Sequence, residues 1–300
     1  MSIPRVKRKI NGVLLLDKPF GLSSNAALQQ AKRFFQAEKA GHTGNLDPLA
    51  TGLLPLCLGE ATKFSQMLLD SDKTYQALIK LGVTTTTGDA EGEVLSQHPV
   101  SVSRSQVELA MRQFVGSISQ IPPMYSALKF QGKALYRYAR AGVEIERQPR
   151  QITIFSLVLE AFETDELSVT VTCSKGTYIR VLAEDIGRAL GCGAFLKGLR
   201  RTAVGSFNID QAVTLGDLEL QDMVQRDALL LPPDSPLAGL EKVVLDAQSS
   251  YCVRLGQAIW QPKQTVGKKV CLYDESQRFM GVGEVTEEGK IAPKRLVVSG

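Results

Sequence analysis

Residues 41–52, Gly-His-Thr-Gly-Asn-Leu-Asp-Pro-Leu-Ala-Thr-Gly, constrain this chain more than any other stretch. Gly41, Gly44, Gly52 and Pro48 surround one carboxylate, Asp47, with His42 five positions upstream. Glycine reaches backbone conformations closed to other residues, while Pro48 fixes its own φ and drives Asp47 towards an extended shape. Ordering such a segment costs conformational entropy, so the carboxylate at its centre is expected to be held at a set angle.

An Asp-Pro pair on its own most often marks a turn. The sharper reading makes Asp47 a nucleophile or general base. A carboxylate is ionised at neutral pH without an activating base, but once buried it needs an arginine close by, because desolvation raises its pKa. A serine triad requires a histidine base positioned by a carboxylate. Only His42 and His98 exist, and His42 sits too near the glycine-rich turn to be assigned freely. A phosphate-binding loop fails as well, since no Gly-Lys-Ser/Thr ending follows and Lys63 stands apart from Gly59.

The whole chain sets wider bounds. Its 300 residues suit one large domain with a small appendage. Apolar residues at 44% and charged residues at 22% are those of an ordinary soluble protein. No apolar run approaches the roughly 18 residues of a membrane span. The basic run Met1–Lys9 is not followed by a long apolar segment, so no secretory signal is expected and the cytoplasm is the default location. Cys57, Cys173, Cys192, Cys252 and Cys271 are scattered without C-x-x-C spacing, as reduced buried thiols would be. Two histidines exclude a histidine-rich metal centre. Charge is uneven: 25 basic against 18 acidic side chains in residues 1–206, 2 against 7 in 207–245, and 8 against 6 in 246–300. A basic body with an acidic connector fits a polyanion partner.

Ile10–Asp17 reads as a buried strand closed by a turn at Lys18-Pro19-Phe20-Gly21. Ser23 or Ser24 caps a helix with Ala27, Leu28, Ala31 and Phe34/Phe35 inward. Thr74–Val83 and Leu167–Cys173 alternate as half-buried, antiparallel strands. Ser103 and Gln106 form a capping box for a helix that ends before Gly116. Ile179, Leu182, Ile186 and Ala189/Leu190 make another helical stripe, and Thr214 with Asp217 starts an acidic helix. Strands and helices follow one another without a regular βαβ beat, so the class is α+β, a mixed, largely antiparallel sheet flanked by helices. Leu229–Leu240 reads as a proline-rich connector. The short segments Gln257–Trp260, Lys269–Tyr273, Phe279–Val285 and Leu296–Val298 after it suggest a small β-barrel. The expected division is 1–245 and 246–300.

Gly41–Leu54 followed by Gly59-Glu60-Ala61-Thr62-Lys63 resembles the signature of the TruB family, the bacterial tRNA pseudouridine synthases that act on uridine 55 of the TΨC loop. Asn11–Pro19, Asp72-Lys73-Thr74-Tyr75, Met124–Lys129, Cys173–Arg180 and Leu199-Arg200-Arg201 are similar to further family blocks in the same order. The resemblance implies Asp47 as catalytic nucleophile, Tyr75 as the tyrosine stacking on the target base and handling its C5 proton, and Arg180 as the partner of the carboxylate. It places Tyr178, Leu199 and His42 in the base pocket or against the RNA loop, with Lys18 as a pocket or backbone contact. The implied partner is the TΨC stem-loop of tRNA. No cofactor, metal or membrane is implied, and a monomer is expected.

Tyr125–Arg150 interleaves Lys129, Lys133, Arg137, Arg140, Arg147 and Arg150 with Tyr125, Phe130, Tyr136 and Tyr138, a mixture suited to phosphate contact and base stacking. In the family it is an insertion, about 124–150, that closes over the RNA loop. Arg254–Ala258, Phe279–Val285 and Ile291–Leu296 resemble a PUA domain, a small RNA-binding β-barrel. Phe195 stands where many relatives have histidine. Two other classes compete: an RNA-binding or tRNA-folding protein in which modification is secondary, and a glycosidic hydrolase, disfavoured because it needs a second positioned acid.

Overall fold

The computed structural model describes residues 7–262 and 265–298; Met1–Val6 of the basic N-terminal run lie outside them. The alternating segments assemble into one nine-stranded sheet. Its path runs Gly12–Lys18, Ala50–Leu58, Ala194–Val204, Lys73–Leu81, Glu166–Cys173, Arg150–Glu163, Gly116–Gln120. Every join along the path is antiparallel except that between Ala50–Leu58 and Ala194–Val204. The sheet is mixed and largely antiparallel, as the sequence indicated.

The alternation reading holds for Glu166–Cys173: Leu167, Val169, Val171 and Cys173 are 0–1% exposed, and Ser168, Thr170 and Thr172 face the other way. Arg150–Glu163, at 14 residues the longest strand, was not anticipated. Two register shifts interrupt its pairing with Glu166–Cys173, and its exposed positions fall on both faces, so no period of two survives in its sequence.

Ala50–Leu58 is buried along nearly its whole length and runs through the glycine-rich turn's exit. It carries Pro55, which cannot donate to a ladder. The strand tolerates it because one of its edges changes partner there. Residues Ala50–Gly52 pair with Leu199–Arg201, and Leu56–Leu58 with His42–Ala40. Pro55 falls in the gap, and its carbonyl accepts from the backbone N–H of Thr43 at 3.1 Å and from the Thr43 hydroxyl at 3.2 Å.

Helices cover the core face. Ser24–Phe34 is capped by Ser23 and buries Ala27, Leu28 and Ala31. The Ser103/Gln106 capping box opens Arg104–Arg112, and a Thr214/Asp217 box opens Leu215–Leu220. Ile179–Ala189 turns Ile179, Leu182, Ala183 and Ile186 into the core. Gly187 lets this helix press on the sheet, since a Cβ there would stand 2.3 Å from the backbone nitrogen of Ala194. Among the described residues no helix is long and apolar enough to cross a membrane.

The tail forms a second, five-stranded sheet curled into a half-barrel, ordered Glu241–Val244, Lys269–Tyr273, Phe279–Val285, Lys290–Leu296, Ile259–Trp260. Its first strand, parallel to Lys269–Tyr273, lies ahead of residue 246 and carries no strong apolar alternation. The Gly59–Lys63 block sits at the junction. Lys63 Nζ donates to the Leu296 carbonyl at 2.9 Å, and the Val298 N–H donates to Glu60 Oε2 at 2.6 Å. Beneath them Phe64 and Leu237 pack with Cys271, Tyr273 and Val282 of the second sheet.

Gly187→Ala is expected to lower stability by about 1–3 kcal/mol through overpacking. A drop in the thermal unfolding midpoint checks it; an unchanged midpoint means that helix and strand separate freely.

Candidate active site

The turn around Asp47 is held from several directions. The Ser24 hydroxyl accepts from the Leu46 N–H at 2.7 Å and donates to the Leu46 carbonyl at 3.1 Å. The Gly21 N–H donates to the Pro48 carbonyl at 2.8 Å, and Ala50 N–H closes back on the Asp47 carbonyl at 3.0 Å. Thr43, Leu46 and Leu49 are buried. Gly44 and Gly52 take φ of +100° and +103°, conformations that other residues adopt only with strain. The sequence expectation of an immobilised carboxylate is met by the backbone itself.

Arg180 meets that carboxylate. Its Nη2 lies 3.0 Å from Asp47 Oδ2 and its Nη1 3.3 Å from Asp89 Oδ2. The same guanidinium donates to the carbonyls of Tyr125 at 2.6 Å and Thr87 at 3.2 Å. Arg180 lies one step off the helical stripe, yet it is buried, at 6% exposure. A cation in the first turn of a helix is unfavourable by itself, and two carboxylates offset that. Asp89 was missed. It is 2% exposed, takes a 2.5 Å bond from the Thr87 hydroxyl, and comes from a Thr-Gly-Asp turn with no periodicity to single it out.

Desolvation pushes the Asp47 pKa above its ordinary value, and Asp89 adds to that, while Arg180 and Lys18 pull it back. The Asp47 side chain nevertheless keeps 45% of its surface. It therefore stands in a crowded cleft open on one side, and the open side moderates the push.

Tyr75 lies on the core side of Lys73–Leu81 at 9% exposure, opposite Val171 on one neighbouring strand and Arg201 on the other. Burial raises its phenol pKa and the Arg201 guanidinium acts against that, so the hydroxyl keeps its proton at neutral pH. His42 ends the short strand beside Ala50–Leu58; burial first, then Arg201, lower its pKa, and its Nδ1 has no hydrogen-bond partner. It is a neutral, flat ring. Tyr178 immediately precedes Ile179–Ala189, and Gln120 clamps its backbone, accepting from its N–H at 2.8 Å and donating to its carbonyl at 3.1 Å. Leu199 is half-buried, paired with Ala50 and Ala77 at the mouth of an open cleft of about 460 Å³ that Phe20, Gln76 and Arg200 also line.

Lys18 stands close enough to Asp47 for the two charges to influence each other. It is fully buried, and its ammonium is used on the carbonyls of Pro19 at 2.9 Å and Leu22 at 2.6 Å rather than presented at a surface. Burial lowers its pKa to about 8 despite the attraction of Asp47. Phe195, half-buried opposite Lys80, is remote from these groups in the sheet register. A second cavity of about 460 Å³ lies between Thr87, Tyr125, Arg147, Glu184 and Arg188; Asp47 does not line it.

The basic-aromatic segment folds as a small hairpin, Lys129–Phe130 with Lys133–Ala134, and a short helix, Leu135–Ala139. Lys133 lies 4.6 Å from the Tyr138 ring centroid and Arg140 5.6 Å from that of Tyr136. Among the described residues, Lys129, Lys133, Arg137 and Arg140 form no ion pair within 4.0 Å. Tyr125 ties the segment to the centre through its carbonyl on Arg180.

Known proteins match this chain along almost its whole length. Residues 32–179 match the TruB family pseudouridylate synthase N-terminal domain, 180–238 the tRNA pseudouridylate synthase B C-terminal domain, and 242–297 the C-terminal region of pseudouridine synthase II TruB. The chain is 56% identical over 297 residues to tRNA pseudouridine synthase B of Methylobacillus flagellatus, covering 99% of this chain and 98% of that protein. It is 53% identical over 302 residues to the protein of that name in Stutzerimonas stutzeri, covering 99% of each. A crystal structure of a Cbf5-Nop10-Gar1 complex contains a chain that superposes with a TM-score of 0.74 at 27% identity, covering 96% of this chain and 84% of that one. Three successive family regions, identity above one half over nearly the full length and a shared fold lead to one assignment: the chain belongs to the TruB family of pseudouridine synthases.

Proposed function

We propose that this protein is a tRNA pseudouridine synthase that isomerises uridine 55 in the TΨC loop, with Asp47 as nucleophile. Near full-length identity to proteins named tRNA pseudouridine synthase B supports the activity and its substrate class. The observation that carries the mechanism is the Asp47–Arg180 pair at 3.0 Å inside an immobilised turn. Pseudouridine forms when the base leaves the sugar at N1, rotates and rejoins through C5. That sequence asks for a nucleophile able to leave again, and it is redox-neutral.

The target base must leave its stack, at a cost of a few kcal/mol. Flat side chains recover part of this, at roughly 1–3 kcal/mol per stacked base. Tyr75 is assigned to the flipped base and to its C5 proton, Tyr178 and Leu199 to the pocket wall, and His42, neutral and half-buried, to the gap left in the loop. Arg180 keeps Asp47 ionised and is itself steadied by Asp89. Lys18 acts from behind the turn, as a buttress and a nearby positive charge. The insertion supplies unpaired basic side chains to the phosphates and reaches the centre through Tyr125. The second unit, from about Glu241, is assigned to RNA binding beside the catalytic unit, and the protein is read as a cytoplasmic monomer.

The insertion's unpaired cations also suit an RNA-folding protein in which modification is secondary. Asp47→Asn separates the readings. It is expected to reduce pseudouridine formation on a TΨC stem-loop by at least about 10⁴-fold, as loss of a nucleophile does, with binding retained. Unchanged modification removes Asp47 from the chemistry.

The raised Asp47 pKa has a stability counterpart. A carboxyl whose folded pKa lies above its unfolded value costs nothing below the ordinary value of 3.8, and destabilises in full once the pH exceeds the raised one. Asp47→Asn is therefore expected to unfold at the same temperature as the parent or higher at pH 7, measured by thermal denaturation. A lower midpoint means that the ion pair with Arg180 outweighs desolvation.

Activity needs ionised Asp47, so the acid limb of the rate profile should lie above an ordinary carboxylate's. Arg180→Met removes the opposing cation, leaving desolvation and Asp89, and should move that limb to higher pH. A limb that stays in place would show that Asp47 does not set it.

A further inference from the structure

We propose that Arg201 is a positioning residue that locks the Asp47 turn and the Tyr75 side chain into one geometry. The inference rests on the roles assigned to Asp47 and Tyr75 above. Arg200 and Arg201 are consecutive on a strand and so point to opposite faces. Arg200 reaches outward to Asp17, with Nη2 2.7 Å from Oδ2. Arg201 points inward and is 1% exposed, the largest of the fully enclosed side chains.

No carboxylate lies within 4.0 Å of the Arg201 guanidinium among the described residues. Its protons go instead to backbone carbonyls of the motif segment: Nε to Leu53 at 2.7 Å, Nη2 to Gly44 at 3.4 Å and Nη1 to Asn45 at 3.5 Å. These carbonyls bracket Asp47 on both sides in sequence. The strand register places Arg201 between Gly52 on one side and Tyr75 on the other. Gly52 is where the two backbones touch; a Cβ there would stand 2.2 Å from the Arg201 carbonyl oxygen. One residue thus contacts the turn that carries the carboxylate and faces the strand that carries the tyrosine.

A buried charge without a counter-charge is expensive, and an apolar side chain of similar volume is often as stable or more so. Lys18 and Lys73, also buried, share the habit of donating only to carbonyls. Fold stability alone does not call for three such cations about one centre. Lys18 acts on Asp47 and Arg201 on Tyr75, and Arg201 influences the ionisation of His42, Lys18 and Lys73 as well.

The test uses the full chain with a TΨC stem-loop as probe, in Arg201→Met, Arg201→Lys, Tyr75→Phe and the Arg201/Tyr75 double variants. Wild-type pseudouridine formation is measured first. Its absence overturns the catalytic reading itself, whereas wild-type activity with indifferent Arg201 variants overturns only the present proposal. Arg201→Met is expected to slow the single-turnover rate at saturating RNA by about 100-fold, with RNA affinity changed less than about threefold. Arg201→Lys, which keeps the charge and one carbonyl contact, should recover part of the rate. Losses from Arg201→Met and Tyr75→Phe should combine to less than their product, as coupled sites do. An unchanged rate, a loss confined to affinity or folded fraction, or losses that multiply independently would each overturn it. Should Arg201→Met not fold, the lysine variant carries the same comparison with Tyr75→Phe.

Discussion

The ion pair between Asp47 and Arg180 is the contact on which the rest of this site depends. Each partner loses water where it stands, and other groups make up for that loss. The carboxylate, crowded by protein, drifts towards its protonated form, and the guanidinium, nearly enclosed, needs negative charge and carbonyl acceptors to remain there. Asp89 completes the arrangement from a third direction, holding the arginine while competing with Asp47 electrostatically. At Asp47, therefore, Arg180 and Lys18 work against desolvation and Asp89.

The sheet exists in a form that makes this meeting possible. Asp47 precedes the Ala50–Leu58 strand, Tyr75 opens Lys73–Leu81, and Ala194–Val204 lies between them. The one parallel join in the path brings Arg201 against Gly52. Gly52 permits a backbone approach that no side chain would allow, and Pro55 rests where the strand's edge changes partner. Both residues look like disruptions of a strand; each answers a local packing condition that fixes the turn. The Gly59–Lys63 block has a different task. It ties the second sheet to the first through Glu60 and Lys63.

Much of the fold was legible. Capping boxes at Ser103 and Thr214, the stripe from Ile179 to Ala189 and the alternation from Leu167 to Cys173 each report a local rule that the tertiary structure does not override. Arg150–Glu163 was illegible because bulges and exposure on both faces erase its period. Glu241–Val244 is too short and too exposed to stand out, so the second sheet begins earlier than composition suggests.

The sequence by itself determined most of the secondary elements, the family and the glycine-rich turn around Asp47, because each of these is written in residue type and spacing over short stretches. Only the tertiary structure decided which charges meet. Arg180 could have been a surface cation, Lys18 an exposed contact, Arg200 and Arg201 equivalents, and Asp89 a turn residue. Periodicity says which face of an element a side chain takes; it does not say what stands opposite. That is set by strand order and register, which place residues distant in sequence on adjoining strands and so choose the partner of each buried charge.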